Sequence, residues 1–176
     1  MEKVDTLVVD KTGTLTEGRP KVVHIEPAPG FEANVVLQQL ASVERASEHP
    51  LAAAIVADAL ERNLKLSQVT GFDSPVGKGV VGTVDGVRVV CGSAKFLAEY
   101  GVDVSDMEQK AESVRSKAAT VIFVSLDGIP AGFVGIADPI KASTPRAIKA
   151  LRAEHIRVVM LTGDGKTTAE AVARDL

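Results

Sequence analysis

The chain has 176 residues, enough for one domain or two small ones, and 45% of them are hydrophobic, which supports a buried core. Its net charge of -3 at pH 7 and the lack of a long run of Lys or Arg disfavour binding to nucleic acid or to an acidic membrane surface. The longest apolar stretch, near residues 51–60, is interrupted by Asp58 and is too short to cross a bilayer. The chain has a single cysteine, Cys91, so it cannot form an internal disulfide, and we expect this thiol to lie in the core.

The first predicted element is a strand over residues 6–9 that stops at Asp10. Its residues are β-branched or apolar, which is typical of a buried parallel strand that leads into a functional loop. We therefore predict an acidic side chain at the carboxyl end of a buried strand.

A strand over residues 21–26 and two helices are predicted next. Apolar residues recur at helical spacing over residues 32–46, and a second helix begins at Pro50, because proline is favoured at the first helical position.

Two Asp-Gly pairs, at residues 85–86 and 127–128, lie between β-branched runs and predict type I′ hairpins. Helices with a serine in a capping position are expected between the hairpins. The hairpin strands cover residues 80–84, 87–90, 121–126 and 131–136, and the helices cover residues 93–99 and 105–117. The middle of the chain thus predicts an antiparallel sheet with helices.

The last forty residues return to the pattern of the first twenty. A helix over residues 144–153 precedes a strand over residues 156–160, which ends at Thr162-Gly163-Asp164 and leads to a helix of about two turns at the end of the chain. Together with the first strand this is a β-α-β pattern, typical of a parallel sheet.

The fold class that follows is α/β with an inserted α+β domain. Residues 1–21 and 135–176 are expected to form one parallel unit, and residues 22–134 an inserted domain on an antiparallel sheet, since insertions are tolerated in loops at strand ends. Asp10 and residues 162–164 then lie side by side at the sheet edge where ligands bind.

Residues 10–16, Asp-Lys-Thr-Gly-Thr-Leu-Thr, hold the groups needed to receive a phosphoryl group. Asp10 offers a carboxylate nucleophile, Lys11 a cation, and Gly13 a place where backbone N–H groups approach a phosphate. Asp-Lys-Thr-Gly alone is also a capped turn. The full string is the signature of P-type ATPases, and on it the chain is identified as a member of that family. The resemblance implies a haloacid-dehalogenase-like parallel unit and makes Asp10 the acceptor of phosphate from ATP.

Thr12 distinguishes P-type ATPases from the related haloacid-dehalogenase-like phosphatases and mutases. Those enzymes carry a second Asp two residues after the nucleophile, and its carboxylate is the general acid and base that speeds hydrolysis. The Thr at this position favours a lasting phosphoenzyme, which suits an ion pump better than a phosphatase.

The resemblance implies further catalytic residues after the last strand. The family's Thr and Gly that match Thr162 and Gly163 hold the phosphate, and the Asp that matches Asp164 lies near magnesium and nucleotide. Asp10 and Thr12 are implied to bind Mg²⁺. The family commonly has Asn at the next position, where this chain has Gly165, so no side-chain contact is expected there.

Asp138, in Asp-Pro-Ile-Lys, has two interpretations. The tetrapeptide resembles the second hinge strand between the two domains of the family, and Asp138 is equally well a turn acid before a proline.

A nucleotide site is indicated by Ser-Glu-His-Pro-Leu at residues 47–51. An isolated His49 would more often be a residue that serves the helix end. The string resembles the His-Pro motif of heavy-metal-transporting P-type ATPases, which implies that His49 orients ATP and Glu44 contacts adenine. A neutral imidazole can hydrogen-bond or stack on a purine.

Residues 77–82 fit the pattern G-x-G-x-x-G, but a strand is expected to follow and not a helix, so a dinucleotide site is rejected. In the heavy-metal branch this segment lines the ATP pocket, which implies contacts from Gly77 and Gly79. Gly92 and Ser93 match a Gly-Asn pair of copper pumps, and Ser93 is either a ligand or the cap of the next helix.

These strings resemble the copper-transporting branch more closely than the zinc and cadmium branch. The expected function is the ATP-binding and phosphoryl-acceptor region of a pump that exports Cu(I), at the cytoplasmic face of a membrane. ATP and Mg²⁺ are the implied cofactors, and the pump's membrane helices and actuator domain are the implied partners.

Two alternatives stay open: a nucleotide-binding module without its own catalysis, and a haloacid-dehalogenase-like phosphatase. The family's later lysine and its Gly-Asp-Gly-x-Asn-Asp segment do not occur in these 176 residues. We therefore expect this chain to be a monomer that binds ATP with little or no turnover.

Overall fold

The computed structural model describes residues 4–163 and 165–176. The strands are β1 (Thr6–Asp10), β2 (Lys21–Pro27), β3 (Val69–Asp73), β4 (Gly79–Val84), β5 (Val87–Gly92), β6 (Thr120–Leu126), β7 (Ile129–Ala137) and β8 (Arg157–Leu161). The helices are α1 (Ala33–Glu44), α2 (Pro50–Glu61), α3 (Ala94–Glu99), α4 (Ser105–Arg115), α5 (Thr144–Ala153) and α6 (Lys166–Asp175). None of these helices combines the length and apolar character that a membrane crossing requires.

Six antiparallel strands form the larger sheet, in the order β2-β7-β6-β5-β4-β3. Both predicted hairpins are confirmed: φ is 51° at Asp85 and 83° at Gly86, and 47° at Asp127 and 79° at Gly128. Positive φ at both central residues is what a type I′ turn needs.

Helices cover both faces of this sheet. The side chains of α1 and α2 pack on one face, and those of α3 and α4 on the other, because successive strand residues point to opposite faces. Cys91 on β5 is only 1% exposed, as predicted for a core thiol. Burial, followed by the charge of Glu44, raises the pKa of the Cys91 thiol well above its ordinary value, so it stays protonated.

The smaller sheet pairs β1 with β8 in parallel, with Val9 opposite Met160 and Asp10 opposite Leu161. The fold therefore combines a parallel and an antiparallel sheet, as the predicted fold class requires. The prediction of a buried first strand is wrong, because Val8 is 53% and Leu161 57% exposed. Helix α5 packs on β8, while Val8 and Leu161 lie on a face that the described residues leave exposed.

Two chain segments connect the sheets and run side by side. Thr16 and Ile140 form an isolated antiparallel bridge. The Glu17 N–H donates to Pro139 O over 2.8 Å, and the Lys141 N–H donates to Leu15 O over 3.0 Å. The antiparallel sheet begins at Lys21 and ends at Ala137, whereas the domain boundaries after residues 21 and 134 stay a prediction.

Candidate functional site

Residues of the antiparallel sheet and its helices, together with residues that follow β8 of the parallel sheet, line a cavity of about 580 Å³. This volume is within the usual range of about 300–1,000 Å³ for small-molecule pockets. The structure brings together all of the residues that were predicted to bind nucleotide. These are Glu44, His49, Gly77, Gly79, Gly92 and Ser93. Gly163, Gly165 and Thr168, which follow β8, line the same cavity.

Glu44 lies at the end of α1 and is 7% exposed. Its Oε2 atom is buried and has no hydrogen-bond partner among the described residues. Burial raises the pKa of the Glu44 carboxyl, and a hydrogen bond with Ser47 partly opposes that rise. A buried acceptor without a protein partner can be satisfied by a donor from a bound ligand or by water.

His49 is both a helix cap and part of the cavity wall. Its Nδ1 atom accepts a hydrogen bond of 3.2 Å from the Leu51 N–H at the start of α2. Because Nδ1 accepts, the neutral ring carries its proton on Nε2, which is then a donor. The capping interpretation is therefore confirmed and leaves one ring nitrogen for a ligand.

Glycine is required in the cavity wall for two different reasons, close packing at Gly79 and Gly92 and a positive φ at Gly77. A Cβ on Gly79 would lie 2.1 Å from Cys91 O, and one on Gly92 would lie 2.6 Å from Lys78 O, so β4 and β5 pack too closely for a side chain. Gly77 has a φ of 70°, and a Cβ at this position would have no atom within 4 Å. Strand β4 follows Gly79 directly, which agrees with the rejection of a dinucleotide motif.

Ser93 caps the next helix, since its Oγ accepts from the Phe96 N–H over 3.2 Å. Its side chain is exposed and also lines the cavity. The two interpretations of Ser93 are thus compatible.

The predicted acceptor, Asp10, lies at a second edge of the site. It ends β1 opposite Leu161, which places Thr162 beside it at the carboxyl edge of the parallel sheet. Asp10 and Thr12 are exposed, whereas Lys11 is 8% exposed. Of the described residues predicted to be catalytic, Gly163 lines the cavity while Asp10, Lys11, Thr12 and Thr162 do not; Asp164 lies outside the described residues.

A tight turn over Lys11–Leu15 follows the acceptor. Gly13 has a φ of 74° and donates its N–H to Thr16 Oγ1 over 3.2 Å. The Thr16 N–H in turn donates to Lys11 O over 3.2 Å, five residues back, which closes the turn. The conformation of this segment therefore depends on Gly13 and on the hydroxyl of Thr16.

Asp138 fastens this turn from the second connecting segment. Its carboxylate accepts hydrogen bonds from Thr16 Oγ1 at 2.5 Å, from the Gly18 N–H at 3.2 Å and from the Arg19 N–H at 3.0 Å. Lys141 Nζ also donates to Gly13 O. Asp138 therefore joins the two segments that connect the sheets through hydrogen bonds, and is not only a local turn residue.

Arg115 and Thr168 line the cavity although no sequence motif indicated them. Thr168 on α6 donates from Oγ1 to Ala119 O over 3.2 Å, and Arg115 ends α4 four residues before Ala119. These residues meet only because α6 packs against the end of α4, and such a contact has no local sequence signal.

The oxygen atoms at the acceptor edge fit a magnesium ion. The exposed carboxylate of Asp10 and the oxygens of Thr12 are hard ligands of the kind that Mg²⁺ prefers. Within residues 4–163 and 165–176 no group of three or more His, Cys, Asp or Glu residues forms a complete site for a metal ion. Mg²⁺ commonly uses one or two carboxylates together with substrate phosphates and water, so a partial set of protein ligands is sufficient.

Comparison with known proteins identifies the family. The profile of the haloacid dehalogenase-like hydrolases matches residues 4–176. The chain belongs to the haloacid dehalogenase-like hydrolase family. This haloacid dehalogenase-like chain is 51% identical over 176 residues to a copper-exporting P-type ATPase of Legionella pneumophila and 50% identical over 177 residues to a silver exporting P-type ATPase of Salmonella typhimurium. Both alignments cover 100% of the chain, which spans only 24% and 21% of those two relatives.

A solved structure of a zinc-transporting PIB-type ATPase in its E2.Pi state is similar to this chain in fold. That structure matches with a TM-score of 0.77 and 32% identity, over 98% of this chain and 28% of the other. The predicted resemblance to heavy-metal P-type ATPases is therefore confirmed over the whole chain.

Proposed function

We propose that this chain is the ATP-binding and phosphoryl-accepting region of a P-type ATPase that exports Cu(I). The observation that carries the proposal is the single cavity lined by the six predicted nucleotide residues and by Gly163, which follows the strand beside Asp10. The chain spans about a quarter of the length of the relative in Legionella pneumophila. We therefore propose membrane helices and an actuator domain as its partners, and the cytoplasmic face of a membrane as its location.

Glu44 and His49 are the proposed adenine-binding pair. An ionised Glu44 is an acceptor only, and its partnerless Oε2 suits the exocyclic amino group of adenine. The Nε2–H of His49 is a donor that can reach a ring nitrogen or the ribose. Gly77 leaves open space where the nucleotide can approach the backbone.

Asp10 is the proposed nucleophile. One carboxylate oxygen attacks the γ-phosphorus in line, a bond from Asp10 to phosphorus forms, and the bond from phosphorus to the β,γ-bridging oxygen breaks as ADP leaves. Lys11, Thr12, Thr162 and Gly163 are proposed to hold the transferred group. With Thr12 two residues after Asp10, no carboxylate stands there to activate water.

Mg²⁺ is the proposed resident cofactor, held by Asp10 and Thr12. When bound, it supplies positive charge that offsets the charge developing on the transferred phosphoryl group. The protein contributes the oxygen ligands and holds the loop through Thr16 and Asp138.

A phosphatase is the second candidate function, because the matching family is named for hydrolases. Sustained turnover of p-nitrophenyl phosphate would favour it, whereas a pump segment with Thr12 should show little. Copper is the proposed cargo because the named exporters of similar sequence act on copper and silver, and silver(I) is the close chemical analogue of Cu(I).

The test of nucleotide binding is a titration of the isotope-labelled chain with the β,γ-methylene analogue of ATP, followed by amide chemical shifts. We expect shifts at Gly77, Gly79 and Gly92, and none at Gly101 or Gly128, which lie outside this cavity. Shifts absent from the cavity glycines would overturn the proposal.

The matched variants for this titration are His49→Gln and His24→Gln. We expect His49→Gln to weaken binding by about tenfold, because one hydrogen bond to the ligand is lost. His24 stacks on Phe133 away from the cavity, so His24→Gln should bind as the wild type does.

A further inference from the structure

Arg115 is a cation in the cavity wall to which the proposed function gives no role. Lys78 and Arg115 are the lysine and arginine residues among the described lining residues. Lys78 Nζ lies within 2.9 Å of both carboxylate oxygens of Glu99. ATP is a polyanion, so a cation beside its phosphates is expected in a site that binds it.

The Arg115 guanidinium is held from one side only. Nη1 donates to Glu108 Oε2 at 2.8 Å and to Glu112 Oε2 at 3.2 Å, and Cζ lies 5.7 Å from the centre of the Phe123 ring. Neither Nε nor Nη2 has a hydrogen-bond partner among the residues that the structure describes. The Nε–Nη2 edge is a planar fork that matches two phosphate oxygens.

The anchors keep Arg115 charged and oriented. Burial lowers the pKa of the Arg115 guanidinium, but the hydrogen bonds to Glu108 and Glu112 and the negative charges of these two residues together outweigh burial, so the pKa lies above its ordinary value. Glu108 and Glu112 are 41% and 53% exposed, so water screens their repulsion of a bound anion.

Arg115 lies between the two halves of the proposed site. Four residues after it, the chain is fixed to α6 by the Thr168 bond to Ala119 O, and Arg174 Nη2 lies 3.5 Å from Ser116 O. Helix α6 begins just after Gly163 and Gly165 in the cavity wall. Arg115 therefore shares one cavity with Glu44 and with the two glycines that follow β8.

We propose that Arg115 binds the polyphosphate of ATP through Nε and Nη2, as a specificity-determining residue that distinguishes nucleoside triphosphates from monophosphates. This inference rests on the proposed function and adds to it a residue without a sequence motif. Glu108, Glu112 and Phe123 position the guanidinium before the ligand arrives.

The test is calorimetry of the 176-residue chain with two ligands, AMP and the β,γ-methylene analogue of ATP. Arg115→Gln is expected to lower affinity for the triphosphate analogue at least about tenfold, since a charge-assisted hydrogen bond is lost, and to change AMP affinity less than about twofold. Arg115→Lys keeps the positive charge but lacks the planar pair of N–H donors, so its affinity for the triphosphate analogue is expected to lie between those of the wild type and Arg115→Gln. Arg88→Gln removes a guanidinium that lies over the Tyr100 ring outside this cavity, and is expected to stay within about twofold of the wild type for both ligands.

The outcomes separate the two levels of the proposal. Equal losses for both ligands in Arg115→Gln, no loss for the triphosphate, or an equal loss in Arg88→Gln would overturn the role of Arg115 while nucleotide binding itself stands. A wild-type chain that binds neither ligand would overturn the proposed function, and the role of Arg115 with it.

Discussion

Thr16 Oγ1 lies 2.5 Å from Asp138 Oδ2, although the two residues are 122 positions apart in the sequence. Thr16 belongs to the segment that leaves Asp10, and Asp138 to the segment that leaves the antiparallel sheet through β7. The bond therefore joins the two connections between the sheets at the loop of the proposed acceptor. It gives the hinge interpretation of Asp138 a physical basis.

Asp138→Asn should loosen the acceptor loop. The substitution removes the charge and one acceptor oxygen, so we expect the unfolding free energy to fall by about 1–3 kcal/mol and amide exchange at Gly18 and Arg19 to accelerate. Hydrogen exchange measured residue by residue would show this.

Asp127→Asn is the matched control, because Asp127 also accepts a backbone hydrogen bond, from the Arg88 N–H at 2.8 Å, but in a distant hairpin. It should accelerate exchange at Arg88 and leave Gly18 and Arg19 unchanged. Unchanged exchange at Gly18 and Arg19 in Asp138→Asn would show that Asp138 does not hold the loop.

Gly79→Ala and Gly77→Ala should differ in their effects. Gly79→Ala pushes a methyl group into the backbone of Cys91, and we expect a loss of about 3 kcal/mol in unfolding free energy. Gly77→Ala meets no atom and costs only about 1 kcal/mol for its positive φ, but it narrows the cavity.

Urea denaturation of both variants tests this difference, and nucleotide titration of Gly77→Ala tests the cavity. We expect Gly77→Ala to fold and to bind the ATP analogue more weakly. A Gly77→Ala variant less stable than Gly79→Ala would contradict the packing described for β4 and β5.

Glu44→Gln should change how stability depends on pH. Burial raises the folded-state pKa of Glu44 above its ordinary value of 4.5, so the folded chain holds this proton more tightly than the unfolded chain does. The contribution of Glu44 to stability is thus fully present below pH 4.5 and is lost as pH rises through the raised pKa.

The variant lacks this loss and should therefore exceed the wild type in Tm at pH 8. Its advantage should shrink toward pH 4. Thermal unfolding at a series of pH values measures the difference in Tm between the variant and the wild type. A Tm difference that does not change with pH would show that burial does not raise the pKa of Glu44.

Some elements could be predicted from the sequence because their signals are local. The hairpins follow from two Asp-Gly pairs, and the glycine, histidine and glutamate residues of the cavity follow from short motifs. The predicted helix over residues 105–117 ends at Arg115, two residues early, and Ala118 then takes a φ of 62° before β6 begins.

Other features arise from packing between distant segments. Arg115 enters the cavity because α4 meets α6, through a bond that joins residues 49 positions apart. The exposure of Val8 likewise depends on which helices cover the parallel sheet. The β-branched residues of β1 predict a strand but do not indicate whether a helix covers it. Asp138 carried a sequence signal, but its partners Thr16, Gly18 and Arg19 could not be read from it.

The most direct test of the proposed function is transfer of phosphate from radiolabelled ATP to the full-length protein that contains this chain. We expect an acid-stable, hydroxylamine-sensitive phosphoenzyme that disappears in Asp10→Asn and persists in Asp5→Asn, which removes a neighbouring exposed carboxylate. A phosphoenzyme that survives Asp10→Asn would contradict the assignment of Asp10 as the acceptor.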